Sequence, residues 1–341
     1  MRGAQTRRPV LTRRLAPTRR LAGEIRLRAY PGDLARVHLA PLVSSGVLPS
    51  LAWAVVQDED VRLGGYGGAG PRTVFQLGSV TKVFTALLLA DLAERGELSL
   101  SEPAASYLPG GSSSVTLADL ATHTSGLPRL PRSLLWYALA NLRDPYARYP
   151  AARFVRAARR SLRAGRGGCP YEYSNYGYGL LGYLLGQAAG SGYEALVTER
   201  ICGPLGLRDT AFEAGDRKAQ GYRRGRPVPD WHLGALAGAG GLYSTAADLA
   251  TLLGALLAPA TTPLEGAIRT TLTPRQEIPR GKISLAWHHA SSGVIWHNGM
   301  TGGFSSMIAF DPARSLGVAA LANSAGPLPS PLDAAVFGAF R

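Results

Sequence analysis

The chain has 341 residues, 46% of them hydrophobic and 18% charged. This globular composition excludes a disordered protein and leaves room for one large domain or two intimate ones. The formal net charge of +14 is uneven: residues 1–28 hold nine arginines against Glu24, so this arm carries +8 and the other 313 residues only +6. No apolar run approaches the ~18 residues of a transmembrane helix, and two cysteines, Cys169 and Cys202, are too few for a disulfide framework or a Cys-rich metal site and read as free buried thiols.

Arginine pairs recur along the arm at Arg7-Arg8, Arg13-Arg14 and Arg19-Arg20, without aromatics or a strong apolar face. That pattern predicts a solvated tail, with no specific nucleic-acid partner and at most a weak contact with an anionic surface. The arm also lacks the apolar stretch of a secretory or twin-arginine signal. The sequence as written is therefore expected in the cytoplasm, and in the periplasm or outside only if a leader is missing.

Past the arm, Leu51–Gln57 and Val61–Tyr66 read as two strands around the turn Asp58-Glu59-Asp60. Val80–Arg95 is predicted helical and stopped by Gly96. Helices are expected at Tyr176–Ala189 and at Tyr193–Cys202, the latter ended by Gly203-Pro204-Leu205-Gly206. Thr245–Leu257 opens on Thr245-x-x-Asp248, the pattern of a capping box. The last sixty residues change to short β-rich segments, Lys282–His289, Gly293–His297, Phe304–Asp311 and Leu316–Ala322, followed by a closing helix over Pro331–Arg341. Strands at both ends with helices between predict an α/β fold, an antiparallel sheet built from both chain ends with an inserted, mainly helical domain. The expected division is 29–78 with 282–341 for the sheet and 79–281 for the helices, the cleft between them holding the site.

Several motifs are decoys. Gly65/Gly67/Gly70 matches G-x-G-x-x-G but leads to Pro71-Arg72-Thr73 rather than a helix, and Gly177/Gly179/Gly182 falls inside a helix. No G-x-S-x-G, H-E-x-x-H or paired C-x-x-C occurs, so the α/β-hydrolase and zinc-protease readings drop out. No cofactor and no metal are expected.

What remains is Gly78-Ser79-Val80-Thr81-Lys82 at the start of the long helix. Only three lysines stand among 37 basic residues. Three residues is nearly one helical turn, so Ser79 and Lys82 point the same way, and Lys82 shares its stripe with Ala86, Leu89 and Ala93. A lysine among apolar neighbours loses its charge more readily, and its neutral amine can take the proton of an otherwise poor serine nucleophile. Arginine cannot do this. The plain alternative is that Ser79 caps the helix and Lys82 snorkels to solvent. Two further clusters stand out. Tyr173-Ser174-Asn175 precedes a helix, where a tyrosine can relay protons, although tyrosine-rich segments more often serve packing. His297-Asn298-Gly299 ends a strand and is followed by Met300-Thr301-Gly302-Gly303, whose glycines let a substrate pair with the strand edge. His297 by itself reads as a structural histidine.

In this order, S-x-x-K, Y-x-N and H-x-G resemble the three active-site elements of the serine β-lactamase and penicillin-binding protein superfamily, in the class C β-lactamase-like branch that includes D-alanyl-D-alanine carboxypeptidases and esterases. Phe75–Ser79, Leu120–Leu127, Pro204–Leu207 and Gly240–Thr245 look like that family too, and the resemblance spans roughly residues 30–341. It implies Ser79 as acylated nucleophile, Lys82 as general base or the partner of that base, and Tyr173 as proton relay. Asn175 would hold substrate or Lys82, His297 would stand at the third-motif lysine or histidine, and Gly299 would belong to the substrate strand. The backbone N–H groups of Ser79 and Met300 would form the oxyanion hole. The implied reaction is hydrolysis of a small ester, amide or β-lactam through an acyl-enzyme. Class C β-lactamases usually carry lysine where this chain has His297, and no acidic deacylation base of the class A kind is evident. A general ester or amide hydrolase is therefore ranked ahead of a true β-lactamase and a D,D-carboxypeptidase. A non-catalytic binding or scaffold protein of the same fold is the reading from a different class.

Overall fold

A computed structural model describes residues 31–108, 113–326 and 330–341. The arginine-rich arm of residues 1–28 lies outside them. In chain order, α1 (Pro31–His38) precedes the hairpin β1 (Leu51–Gln57) and β2 (Asp60–Tyr66), and α2 (Thr81–Glu94) follows a single 3-10 turn at Gly78–Val80. The helical stretch continues with α3 (Leu135–Ala140), α4 (Ala151–Ala164), α5 (Asn175–Ala188) and α6 (Ala246–Leu257). The chain then returns to strands β3 (Gln276–Ile278), β4 (Gly281–Ile283), β5 (His288–His289), β6 (Ile295–Met300), β7 (Ser305–Asp311) and β8 (Leu316–Ala322), and closes on α7 (Pro331–Gly338).

The eight strands form one sheet in the order β2-β1-β8-β7-β6-β5-β4-β3. Every pairing is antiparallel. β1 and β8, from opposite ends of the chain, lie side by side with Leu51 opposite Ala322 and Gln57 opposite Leu316. The α/β class and the sheet built from both termini are therefore as expected. β7 and β8 are buried along their whole length because both faces of the sheet are covered. Alternation sends Met307, Ala309, Val318 and Ala320 toward Ala35 of α1, Leu39 just past it, and Leu332 and Val336 of α7. It sends Ile308, Phe310, Ala319 and Leu321 into the larger core shared with the inserted helices. α6 packs directly on β1 and β8.

Several expected elements differ in detail. Lys282–His289 is not one strand: residues 284–287 interrupt it, with Trp287 fully buried. β6 runs on through Asn298, Gly299 and Met300, so His297 is mid-strand and not at its end. After Tyr193–Val197 the helix widens into a π turn at Thr198–Cys202. The capping box at Thr245 is only half made: Thr245 accepts from the Asp248 amide, but the Asp248 carboxylate accepts instead from Asp209 N and Thr210 Oγ1. The full reciprocal box occurs at Thr116 and Asp119. Both cysteines are free, Cys202 buried and Cys169 only half-buried. The glycines Gly179 and Gly182 inside α5 serve close packing, since added Cβ atoms would lie 3.0 Å from Leu236 and 3.1 Å from Gly238. Among the described residues no helix is long and apolar enough to cross a membrane.

Candidate active site

α2 is buried on every side: all its residues from Thr81 to Leu92 are inaccessible or nearly so, Lys82 included at 0%. Three of its polar side chains grip one neighbouring segment. Thr81 Oγ1 accepts from Leu242 N at 3.1 Å, Thr85 Oγ1 donates to Gly238 O at 2.7 Å, and Lys82 Nζ donates to Ala239 O at 2.7 Å. Ser79 sits in the turn ahead of the helix and caps nothing; the residues flanking that turn and the helix make no side-chain cap bond. Its Oγ lies 3.1 Å from Lys82 Nζ. Both plain alternatives, the cap and the snorkelling lysine, therefore fail.

Lys82 has a third neighbour, Asn175 Oδ1 at 2.7 Å, brought there by the first residue of α5. Burial, and then the positive charge of Arg129, push the Lys82 amine well below its ordinary pKa. Its Nζ also lies 5.0 Å and 5.5 Å from the ring centroids of Tyr173 and Tyr178. The rings favour a cation there, whereas burial disfavours it. Two of the three neighbours of Nζ, Asn175 Oδ1 and Ala239 O, are acceptors only, and the third, the Ser79 hydroxyl, can accept from the amine or donate to it.

Tyr173 is half-buried in the loop before α5, where Ser174 caps the helix by accepting from Gly177 N at 2.9 Å. Burial pushes its phenol pKa up, while the hydrogen bond with Ser79 opposes that shift in part. The ring rests on His123, centroids 4.5 Å apart. His123 is itself fixed, its Nδ1 accepting from Ser174 N at 3.0 Å, so its hydrogen is on Nε2. His297 is 1% exposed. Its ring is directed to the inner face of the sheet, 6.5 Å from that of Tyr173 and 5.6 Å from that of His288. Its Nδ1 donates to Asn298 O at 2.7 Å, which leaves the Nε2 lone pair without a partner among the described residues. Burial holds His123 and His297 well below the usual imidazole range, and His288 down at about 4. All three rings are neutral at pH 7.

Above this buried layer opens a cleft of about 480 Å³. Ser79, Tyr173 and Asn175 form its floor, β6 contributes Asn298, Gly299 and Met300, and the far wall includes Tyr146 and Trp231. Gln76 locks Trp231 in place through both amide atoms, Nε2 to Trp231 O at 2.8 Å and Oε1 from Trp231 N at 3.2 Å. Lys82 and His297 lie beneath the floor and do not line it. The backbones of Gly78 and β6 approach so closely that a Cβ on Gly78 (φ +51°) would lie 2.7 Å from Met300 O. A Cβ on Gly299 would overlap Leu77 O and lie 2.9 Å from Ser79 N. A side chain at either place would drive the turn that carries Ser79 away from β6, so glycine is required at both. Gly299→Ala is expected to lower kcat/KM by about 10²-fold or more, the usual cost of one misplaced oxyanion donor. Steady-state kinetics beside a thermal melt would check this.

Charged groups also line the cleft. Arg129 stands over the Tyr173 ring at 5.3 Å, and Arg223 stands on the wall. Beside β6 is a carboxyl group: Asp333 Oδ2 of α7 accepts from Asn298 Nδ2 at 2.6 Å, and burial pushes its pKa up to about 6. Sequence reasoning missed His123, Arg129, His288, Trp231 and Asp333 as parts of the site. Only His123 left a trace, inside the family-like segment Leu120–Leu127. The carbonyl of Ala239 has no side-chain signature at all.

Comparison with known proteins identifies the family. The family model described as Beta-lactamase matches residues 35–339. A beta-lactamase of Pseudomonas fluorescens is 28% identical over 84% of this chain and 92% of its own length. The human protein called putative beta-lactamase-like 1 is 31% identical over 77% of this chain but only 56% of its own. The Escherichia coli D-alanyl-D-alanine-carboxypeptidase/endopeptidase AmpH is 27% identical over 72% of this chain and 69% of its own.

Proposed function

This chain belongs to the β-lactamase family and is a hydrolase of that family, and from that premise we propose that it cleaves a small ester or amide through an acyl-enzyme on Ser79. The observation that carries the proposal is the fully buried Lys82 amine, its pKa lowered by burial and Arg129, bonded to Asn175 Oδ1 and Ala239 O and 3.1 Å from Ser79 Oγ, where its neutral form has a lone pair to offer the hydroxyl. Lys82 accepts the proton as Ser79 Oγ attacks the carbonyl carbon. The carbonyl oxygen becomes an oxyanion held by the amides of Ser79 and Met300, each such donor being worth about 3 kcal/mol in comparable sites. Burial keeps Tyr173 a protonated phenol, so it serves as donor to the leaving group and not as base. The proton taken by Lys82 departs with the leaving group by way of that phenol, and the amine is neutral again. Water then attacks the acyl carbon with the same groups used in reverse, releasing the acid and restoring Ser79.

The substrate class follows from the charges. With His297 neutral and Asp333 bonded to Asn298, β6 itself supplies no cation and has an anion beside it above pH ~6, while Arg129 and Arg223 line other parts of the cleft. A substrate carboxylate is repelled there, which places neutral esters and amides ahead of β-lactams and peptides with a free C-terminus. A panel of p-nitrophenyl butyrate, nitrocefin and a D-alanyl-D-alanine peptide, with intact-mass detection of the acyl adduct, tests this. Nitrocefin turnover far above ester turnover overturns the ranking, and absence of any adduct leaves only a scaffold of the same fold. Asp333→Asn is expected to raise kcat/KM for the two carboxylate-bearing substrates about tenfold at pH 8. At pH 5, where the wild-type group is already protonated, the gain should be much smaller. The ester should be indifferent.

A further inference from the structure

Residues 129–166 hold ten arginines, no lysine and a single acid, Asp144. That acid is buried and engaged by His232 at 2.7 Å. α4 turns Phe154, Ala158 and Leu162 inward. Its exposed side carries Arg153, Arg156, Arg160 and Arg163, spaced so that they form one row along the helix. Among the described residues no carboxylate pairs with Arg132, Arg143, Arg148, Arg153, Arg156 or Arg160.

Immediately before α4, the chain exposes its most prominent apolar side chains. Leu135 is 58% exposed, Trp136 75%, Leu139 57% and Leu142, just past α3, 72%. Leu135 and Leu139 are four residues apart on one face of α3, and Leu142 follows in the turn after it. The two helices form a single surface, since the Arg153 guanidinium lies 5.9 Å from the Tyr137 ring centroid and Ser133 Oγ is 2.6 Å from Tyr149 Oη. Soluble surfaces rarely cluster apolar groups in this way without a partner. Leucines around a tryptophan, ringed by arginines, match the requirements of a headgroup interface: apolar tips that enter, an indole at the boundary and cations over anionic lipid.

We propose that the α3–α4 surface docks the protein on an anionic lipid bilayer, with Leu135, Trp136, Leu139 and Leu142 entering the interface and the arginine row of α4 lying over the headgroups. A protein partner is the weaker match, because the apolar side chains protrude and the charge around them is of one sign. Docking would set the cleft at the bilayer surface. Trp231 Nε1 donates to Arg143 O at 3.1 Å, and Arg129, Leu130 and Tyr146 of this same stretch line the cleft.

Flotation of the full chain with vesicles of phosphatidylcholine alone, or mixed equally with phosphatidylglycerol, tests the proposal. Wild type should bind the anionic vesicles, lose that binding as salt rises, and ignore the neutral ones. Trp136→Ser/Leu139→Ser and Arg156→Gln/Arg160→Gln should each bind at least tenfold more weakly while hydrolysing p-nitrophenyl butyrate normally without vesicles. The conservative Trp136→Phe should bind but lose most of the quenching of protein fluorescence by brominated lipid. Wild-type-like binding by both double variants would assign it to the arginine-rich arm and overturn the proposal. Failure to bind anionic vesicles would do the same, as would a wild-type dimer that Trp136→Ser/Leu139→Ser converts to monomer.

Discussion

Replacing Ser79 by alanine should abolish the covalent adduct and lower kcat/KM for an activated ester by about 10⁴-fold or more, roughly 5.5 kcal/mol of transition-state stabilisation. The size follows from the proposed chemistry. Without the hydroxyl no acyl bond forms, and the remaining cleft contributes only binding and the donors of residues 79 and 300, which still exceed water but cannot supply a nucleophile. The fold should be indifferent, because Ser79 caps no helix and its hydroxyl meets Lys82 and Tyr173, both groups of the site itself. Intact-mass measurement after incubation with a penicillin and with an activated ester, beside a thermal melt, reads both. An adduct of undiminished yield on Ser79→Ala would show that another residue is the nucleophile and would sink the mechanism.

Lys82→Arg should cost about 10³-fold in kcat/KM, although it keeps a basic side chain. A guanidinium stays protonated, has no lone pair to offer Ser79, and needs more donors satisfied than Asn175 and Ala239 provide. The same logic sets the pH profile. Burial first and Arg129 second lower the pKa of the amine, so activity is present above its folded pKa and is lost as pH falls through that value and the ammonium forms. Arg129→Gln removes one of the two causes, and the acid limb of kcat/KM should move to higher pH. Arg129 is exposed, so added salt should shift the wild-type limb in the same direction by screening it. A limb that stays put in Arg129→Gln would mean that a group other than Lys82 governs it.

The parts of the site that could be read along the chain are those in which neighbours in sequence are neighbours in space. Ser79 and Lys82 are one turn apart, so their convergence needs only a helix, and the apolar stripe of Ala86 and Leu89 already implied burial. Tyr173 and Asn175 were visible as a loop entering a helix, but nothing local says that Asn175 Oδ1 ends 2.7 Å from Lys82. The capping pattern at Thr245 shows the reverse case. The motif is present, yet Asp248 is drawn to Asp209 and Thr210 because tertiary partners outcompete the local one. Lys282–His289 had the β-rich composition of a strand, and Trp287 broke it by entering the core.

The amino-acid sequence by itself determined the fold class, the terminal strands that share one sheet, the buried helix and the serine–lysine pair, because periodicity and one-turn spacing are short-range properties. Only the tertiary structure decided the electrostatics of the cleft: that a backbone carbonyl at residue 239 takes a hydrogen bond from the lysine, that three histidines are neutral, and that Arg129 and Asp333 both line the cleft. Desolvation and charge act through distance in space, and groups as far apart along the chain as Lys82 and Ala239 become neighbours only once the fold has closed.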